Sequence, residues 1–333
     1  SVNTTLAMEA VPLVASGLVQ SLGNAEIVAA PNAGGFGIPA SMWSPNNICM
    51  SGGGGCSGIG SVTTCYVGDY LRGTPESELK TTCATSNACG CPAATALGSD
   101  FLSGHSGSLK REGIDILDRD GCVLDTNTGK CADGSSLPDI SFYPGAGFDD
   151  PGDPADDSLF EWIFGVTYES DSTLSPINGT GNTLQNCAGP TNCAVYALTE
   201  DLGAETKTSC AGMNASTEGL IYVSGACSLS GTIGSPDKPV VLVVNDEVTV
   251  GGNLVFYGML FVRSNNNSAE LKGSGNPKIF GSIVVQGDVK LTGGVTLVYD
   301  DTSASGCSTP NCLSKTTKFA RLPSSWLDSA AGF

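Results

Sequence analysis

Histidine occurs once in the 333-residue chain, at His105. A zinc site needs four Cys or His ligands in matched pairs, and Cys89-Gly90-Cys91 has the spacing of neither a zinc knuckle nor a redox CxxC. His105 lies in the turn-like Ser103-Gly-His-Ser-Gly107, where nothing supplies the partners of a Ser/His/Asp triad, so it reads as a surface side chain. Charge is also scarce, at 14% of residues, and it is lopsided: 33 Asp and Glu face 15 Lys and Arg, a net −18. With no local basic patch, a phosphate backbone would be repelled. No apolar run reaches the length of a membrane-spanning helix, and no glycine run is followed by a helix as a phosphate loop requires.

What the chain does have is glycine, 45 residues of it, and 14 cysteines. Abundant Gly, Ser, Thr and Asn between short apolar runs predict a mainly β protein, α+β overall, with many turns. An even number of cysteines at short spacings predicts export to an oxidising compartment. Sequential pairs are expected at Cys122 and Cys131 across a small hairpin, and at Cys187 and Cys193, Cys210 and Cys227, and Cys307 and Cys312. Cys49, Cys56, Cys65, Cys83, Cys89 and Cys91 form a group expected to be bridged internally, but six cysteines allow fifteen pairings and spacing selects none.

In chain order, Val11, Val14, Leu18 and Leu22 recur at intervals of three and four, which predicts an amphipathic helix over residues 1–24 that looks like the lower half of something longer. A disulfide-rich β lobe is expected over 25–216, including an apolar strand through Trp162, Phe164 and Val166. Residues 217–301 hold four short β-rich cores beginning near Ile221, Val241, Leu260 and Ile283, at roughly 20-residue spacing, punctuated by Gly, Asn and Asp. That is the pattern of a β-solenoid, although a twisted sheet of hairpins has the same period. Glu247-Val-Thr-Val250 and Asp288-Val-Lys-Leu-Thr292 alternate and predict a wet side, whereas VVLVV and MLFV predict sides covered on both faces. Residues 302–333 form a tail carrying Cys307 and Cys312.

Two acidic clusters could take a hard cation. Asp118, Asp120, Asp125 and Asn127, with Asp115 nearby, put oxygen ligands around the Gly121 bend, as calcium requires. The EF-hand pattern is incomplete, since Ile116 stands where its first ligand belongs; a solvated acidic hairpin is the competing interpretation. Asp149, Asp150 and Asp153, between Pro151 and Pro154, offer a weaker second candidate. An enzymatic alternative draws on the carboxylates of the repeat stretch, Asp237, Asp246, Glu247, Glu270 and Asp288, with Asp246 and Asp288 expected to stack as a polysaccharide-active pair. Asp at turns more often serves the local backbone.

The phrases GSPDKPVVLVVN and GG…LVYD, within residues 218–301, resemble the C-terminal region of large PilX-type minor pilins of Gram-negative type IV pili. The N-terminal amphipathic segment and the Cys- and Gly-rich middle agree in layout. The resemblance implies a leader and a hydrophobic half-helix upstream, which would be the protein's membrane attachment. It also implies a non-enzymatic role with other minor pilins and a large tip adhesin in the priming complex. The protein would pass through the inner membrane and periplasm to the cell surface at the pilus tip. A secreted adhesin or ligand-binding module shares the same stability devices and is the rival expectation.

Overall fold

Short apolar strands broken by glycine cannot pair their backbone groups alone; in this chain they do so by stacking in parallel. The computed structural model describes residues 12–17, 19–21, 23–29, 40–43, 48–49, 61–91, 108–111, 115–117, 124–125, 130–131, 158–164, 195, 198–199, 202–263 and 269–300.

The repeat stretch is a three-sided β-solenoid. The first rung consists of Gly219–Val223, Cys227–Leu229 and Thr232–Ile233. The second has Val240–Asn245, Glu247–Val250 and the start of Val255–Arg263. That last strand turns a corner at Gly258, so its second half opens the third rung, which continues through Ala269–Gly273 and the start of Lys278–Val285. The fourth rung takes the rest of that strand, then Gly287–Leu291 and Thr296–Val298. Every rung lies parallel on its neighbour.

The stack continues past the fourth rung with the beginning of the chain. Leu13–Ala15, Val19–Ser21 and Asn24–Ala29 lie parallel on its three sides as a fifth rung. Ala40–Trp43, Ile48–Cys49 and Ser61–Tyr66 form a sixth. Ser108–Arg111 and Asp115–Leu117 extend two of its sides. The solenoid thus draws on residues from both sides of the boundary expected at 216.

The amphipathic helix expected over residues 1–24 is not what the described part of that segment forms: Leu13–Ala15 and Val19–Ser21 are strands. Leu13 and Ala15 point inward, and Val14, one of the residues of the helical stripe, points to an outer face that is also buried. A run covered on both faces loses its period-two signature. The open edge of the fourth rung then decides, because it pairs the backbone of this segment in parallel. The reverse occurs at Ser158–Phe164, where the expected strand is a helix. Leu159, Phe160, Ile163 and Phe164 are all buried, an i, i+1, i+4, i+5 set on one helical face.

In-register rows fill the interior. Ile221, Leu242, Leu260, Ile283 and Leu13 stack on the first side. Cys227, Val248, Leu271, Val289 and Val19 stack on the second, and Ile233, Phe256, Ile279, Leu297 and Ile27 on the third. All belong to one buried core. Each large aliphatic side chain so buried contributes on the order of 1.5–3 kcal/mol before chain entropy is counted.

Candidate interaction surface

The outer surfaces of the three sides differ. On the first side, Tyr222, Val243, Phe261, Val284 and Val14 face outward yet are buried. The helix Ser158–Phe164 packs here, with Phe160 and Phe164 centred 5.8 and 5.4 Å from the Phe261 ring. Arg263, 1% exposed, holds its guanidinium 6.0 Å from the Phe160 centroid and donates to Asn245 Oδ1 at 3.2 Å. Burial raises the Tyr222 hydroxyl pKa, and the Arg263 charge works against that rise.

The third side is covered by residues 67–91, which contain the short helices Val67–Leu71 and Thr82–Thr85. Cys65–Cys91 and Cys83–Cys89 bridge this segment. Its apolar residues Tyr70, Leu71, Leu79, Cys83 and Ala84 pack on a register row of the solenoid, Tyr257, Phe280, Val298, Val28 and Cys65. Polar bonds fix the placement. The Tyr257 hydroxyl donates to Lys80 O at 2.7 Å, and Lys278 Nζ donates to Cys83 O at 2.7 Å and Ser86 O at 2.8 Å. The Cys91 N–H donates to Glu26 Oε1 at 2.5 Å, and Arg72 donates to Gly90 O and Cys91 O at 2.7 and 2.6 Å. Burial lifts the Glu26 carboxyl above its ordinary range despite the Cys91 N–H, Arg72 and Lys278, and desolvation pushes the Lys278 ammonium down. Tyr70, desolvated and facing Glu26, is raised as well.

The second side is polar over the first four rungs, and no described element packs on it there. Glu247, Glu270 and Asp288 stack in one register row, with Thr249, Lys272 and Lys290 in the next outward-facing row. Lys272 Nζ lies 2.9 Å from both Glu247 Oε2 and Glu270 Oε2. The hydrogen bond from Lys272 holds the Glu247 carboxyl below its usual range, the direction opposite to what a general acid needs. Asp246 and Asp288 do not stack: Asp288 aligns with Glu270 and Glu247, while Asp246 sits one position earlier at a corner with φ +119° and donates its N–H to Arg263 O at 2.6 Å. The expected carboxylate pair is therefore replaced by a salt-bridged ladder.

The end of the stack at the first rung is closed rather than left as a bare edge. Glu205–Lys207 pairs with Gly219–Val223, and the loop after it turns across the core end. Cys210 is bonded to Cys227, Met213 packs against the core, and Asn214 O accepts from the Gly234 N–H at 3.1 Å. A short charged edge strand and a covering loop are the usual protection of a sheet end against pairing with other chains.

Of the candidate cation ligands, Asp118, Asp120, Asn127, Asp149, Asp150 and Asp153 lie outside the described residues. Asp125 is in the strand Leu124–Asp125, paired antiparallel with Lys130–Cys131. Among the described residues no group of three His, Cys, Asp or Glu side chains is placed to hold a metal ion. Cys122, Cys187, Cys193, Cys307 and Cys312 also lie outside the described residues, as does Cys56; Cys49 and Cys131 are described in their backbone alone. Glu26, Lys278 and Arg263 were not singled out by sequence reasoning. A charge inside a β-rich run, as in FVRS around Arg263, was the signal available, because an outward residue of a covered side must be paired if it is polar. No family model, curated protein or solved structure matches the chain.

Proposed function

We propose that the chain is a non-enzymatic minor pilin of a type IV pilus, assembled with other minor pilins and a large tip adhesin in the priming complex. The observation that carries this reading is the polar second side. The stretch that resembles the PilX-type proteins is a solenoid with its first and third sides occupied and one of its ends closed. That leaves a long polar surface, with the Glu247–Lys272–Glu270 ladder at its centre, for a partner subunit. The disulfides fit an extracellular or periplasmic location, and such a location suits a surface subunit. Within that compartment, placement at the pilus tip is part of the proposal.

The test is capture by immobilised, oxidised protein of each minor pilin and tip protein from one pilus system. Retention of at least one of them at micromolar concentration is expected. Retention of none, with the fold intact by circular dichroism, overturns the assignment.

A further inference from the structure

The stack is continuous in space but not in sequence. In the first three rungs, the third strand leads round a corner into the first strand of the next rung; Phe280 is followed at once by Gly281. At the fourth rung this ends. Val298 is followed by Tyr299, but the strand that occupies the next position on the first side is Leu13–Ala15, from the other end of the chain. Among the described residues, no chain segment and no disulfide connects the fourth rung to the fifth across their joint. The joint is made of backbone hydrogen bonds, including Ile283 N–H to Pro12 O at 2.8 Å, Ser16 N–H to Val285 O at 2.9 Å, Gly17 N–H to Gly287 O at 2.8 Å, Glu26 N–H to Val295 O at 2.8 Å and Tyr299 N–H to Val28 O at 2.8 Å. Beneath them Leu13 meets Ile283, Val19 meets Val289 and Ile27 meets Leu297.

The segment 67–91 spans this joint. Cys65–Cys91 ties it to the sixth rung, and the Cys91 N–H reaches Glu26 on the fifth. Its other anchors lie across the joint: Tyr257, Lys278 and Asp300, the last 3.0 Å from Lys80 Nζ. The apolar row beneath it passes from Val298 to Val28, over the joint itself. We infer that the solenoid consists of two modules docked end to end, and that the disulfide-bonded segment 67–91 is the latch that keeps them docked. One module is built of the strands from Leu13–Ala15 to Ser61–Tyr66 with Ser108–Arg111 and Asp115–Leu117, the other of the strands from Glu205–Lys207 to Thr296–Val298. Each module alone would expose the apolar end of a rung, so the latch guards the weakest plane of the stack, where opening costs no rung its own winding. Loss of the latch opens this plane before the rungs themselves unfold.

Native-state amide hydrogen exchange on the full chain tests this with Cys65→Ser/Cys91→Ser. The amides of Ser16, Gly17, Glu26, Ile283 and Tyr299 are expected to exchange about tenfold faster or more than in the parent. Those of Val255, Lys278 and Gln286 bond to Gly231 O, Leu254 O and Val262 O within the C-terminal module. They should change less than about twofold. A milder variant, Tyr257→Phe with Lys80→Ala, keeps every disulfide, removes two of the anchors across the joint, and decides the matter should the cysteine variant fail to fold. It is expected to accelerate the same joint amides by a smaller factor. Equal acceleration of both groups of amides, or none at the joint, overturns the inference.

Discussion

At the scale of single residues, the corners of the solenoid set the tightest demands. Gly281 has φ +143°, and a Cβ there would lie 1.8 Å from Gly258 O on the rung below. Gly252, by contrast, has φ +62° with nothing within 4 Å of its Cβ position. Gly281→Ala is therefore expected to lower the unfolding free energy by about 3 kcal/mol or more, since strain and a backbone clash combine. Gly252→Ala should cost only the left-handed conformation, about 1 kcal/mol. Urea unfolding of the two variants checks the contrast; similar losses would mean that the corners do not approach as closely as this. Which of the 45 glycines carry such a demand is invisible in composition, because it depends on which backbone lies one rung below.

At the scale of elements, the contact between the latch and the third side has a pH signature. Burial raises the Glu26 carboxyl above 4.5, so the folded protein keeps this proton to a higher pH than the unfolded chain does. The contribution of a group shifted in that direction is complete below the unfolded value, about 4.3, and is lost as pH rises through the folded value. Glu26→Gln retains an acceptor for the Cys91 N–H and does not titrate. The unfolding free energy of this variant minus that of the parent is expected to increase from about pH 4 to about pH 7. Denaturant melts across that range are the measurement, and a flat or falling difference contradicts the assignment. The elements themselves were unequally legible. Strands such as Glu247–Val250 alternate because one face is wet, and the continuous Val240–Asn245 reads as covered because it is. Leu13–Ala15 gives no period to count because it is buried on both faces, whereas in Ser158–Phe164 the alternation of Trp162 and Phe164 competes with the helical set Leu159, Phe160, Ile163 and Phe164, and the helix forms.

At the scale of the whole molecule, the described elements occupy two sides of the prism and leave the second without a covering element. Lys290 stands half-exposed on that side, next to Lys272 in the register. Lys290→Glu is expected to change stability by no more than about 0.5 kcal/mol, as surface substitutions do, while weakening capture of whichever minor pilin or tip protein the immobilised protein retains. Unaltered capture would move the docking surface elsewhere on the molecule. Local pattern by itself determined the rung period, the wet and covered sides and the bridged, exported character of the chain, because all three follow from residues near one another in sequence. Tertiary structure alone decided that the strands from Leu13–Ala15 to Ser61–Tyr66 extend the stack, that Asp288 meets Glu270 and Glu247 rather than Asp246, and that residues 67–91 cross a break in the winding. Those outcomes depend on backbone pairing between distant segments, where the open edge of a finished rung selects its neighbour by register and burial and sequence proximity carries no information.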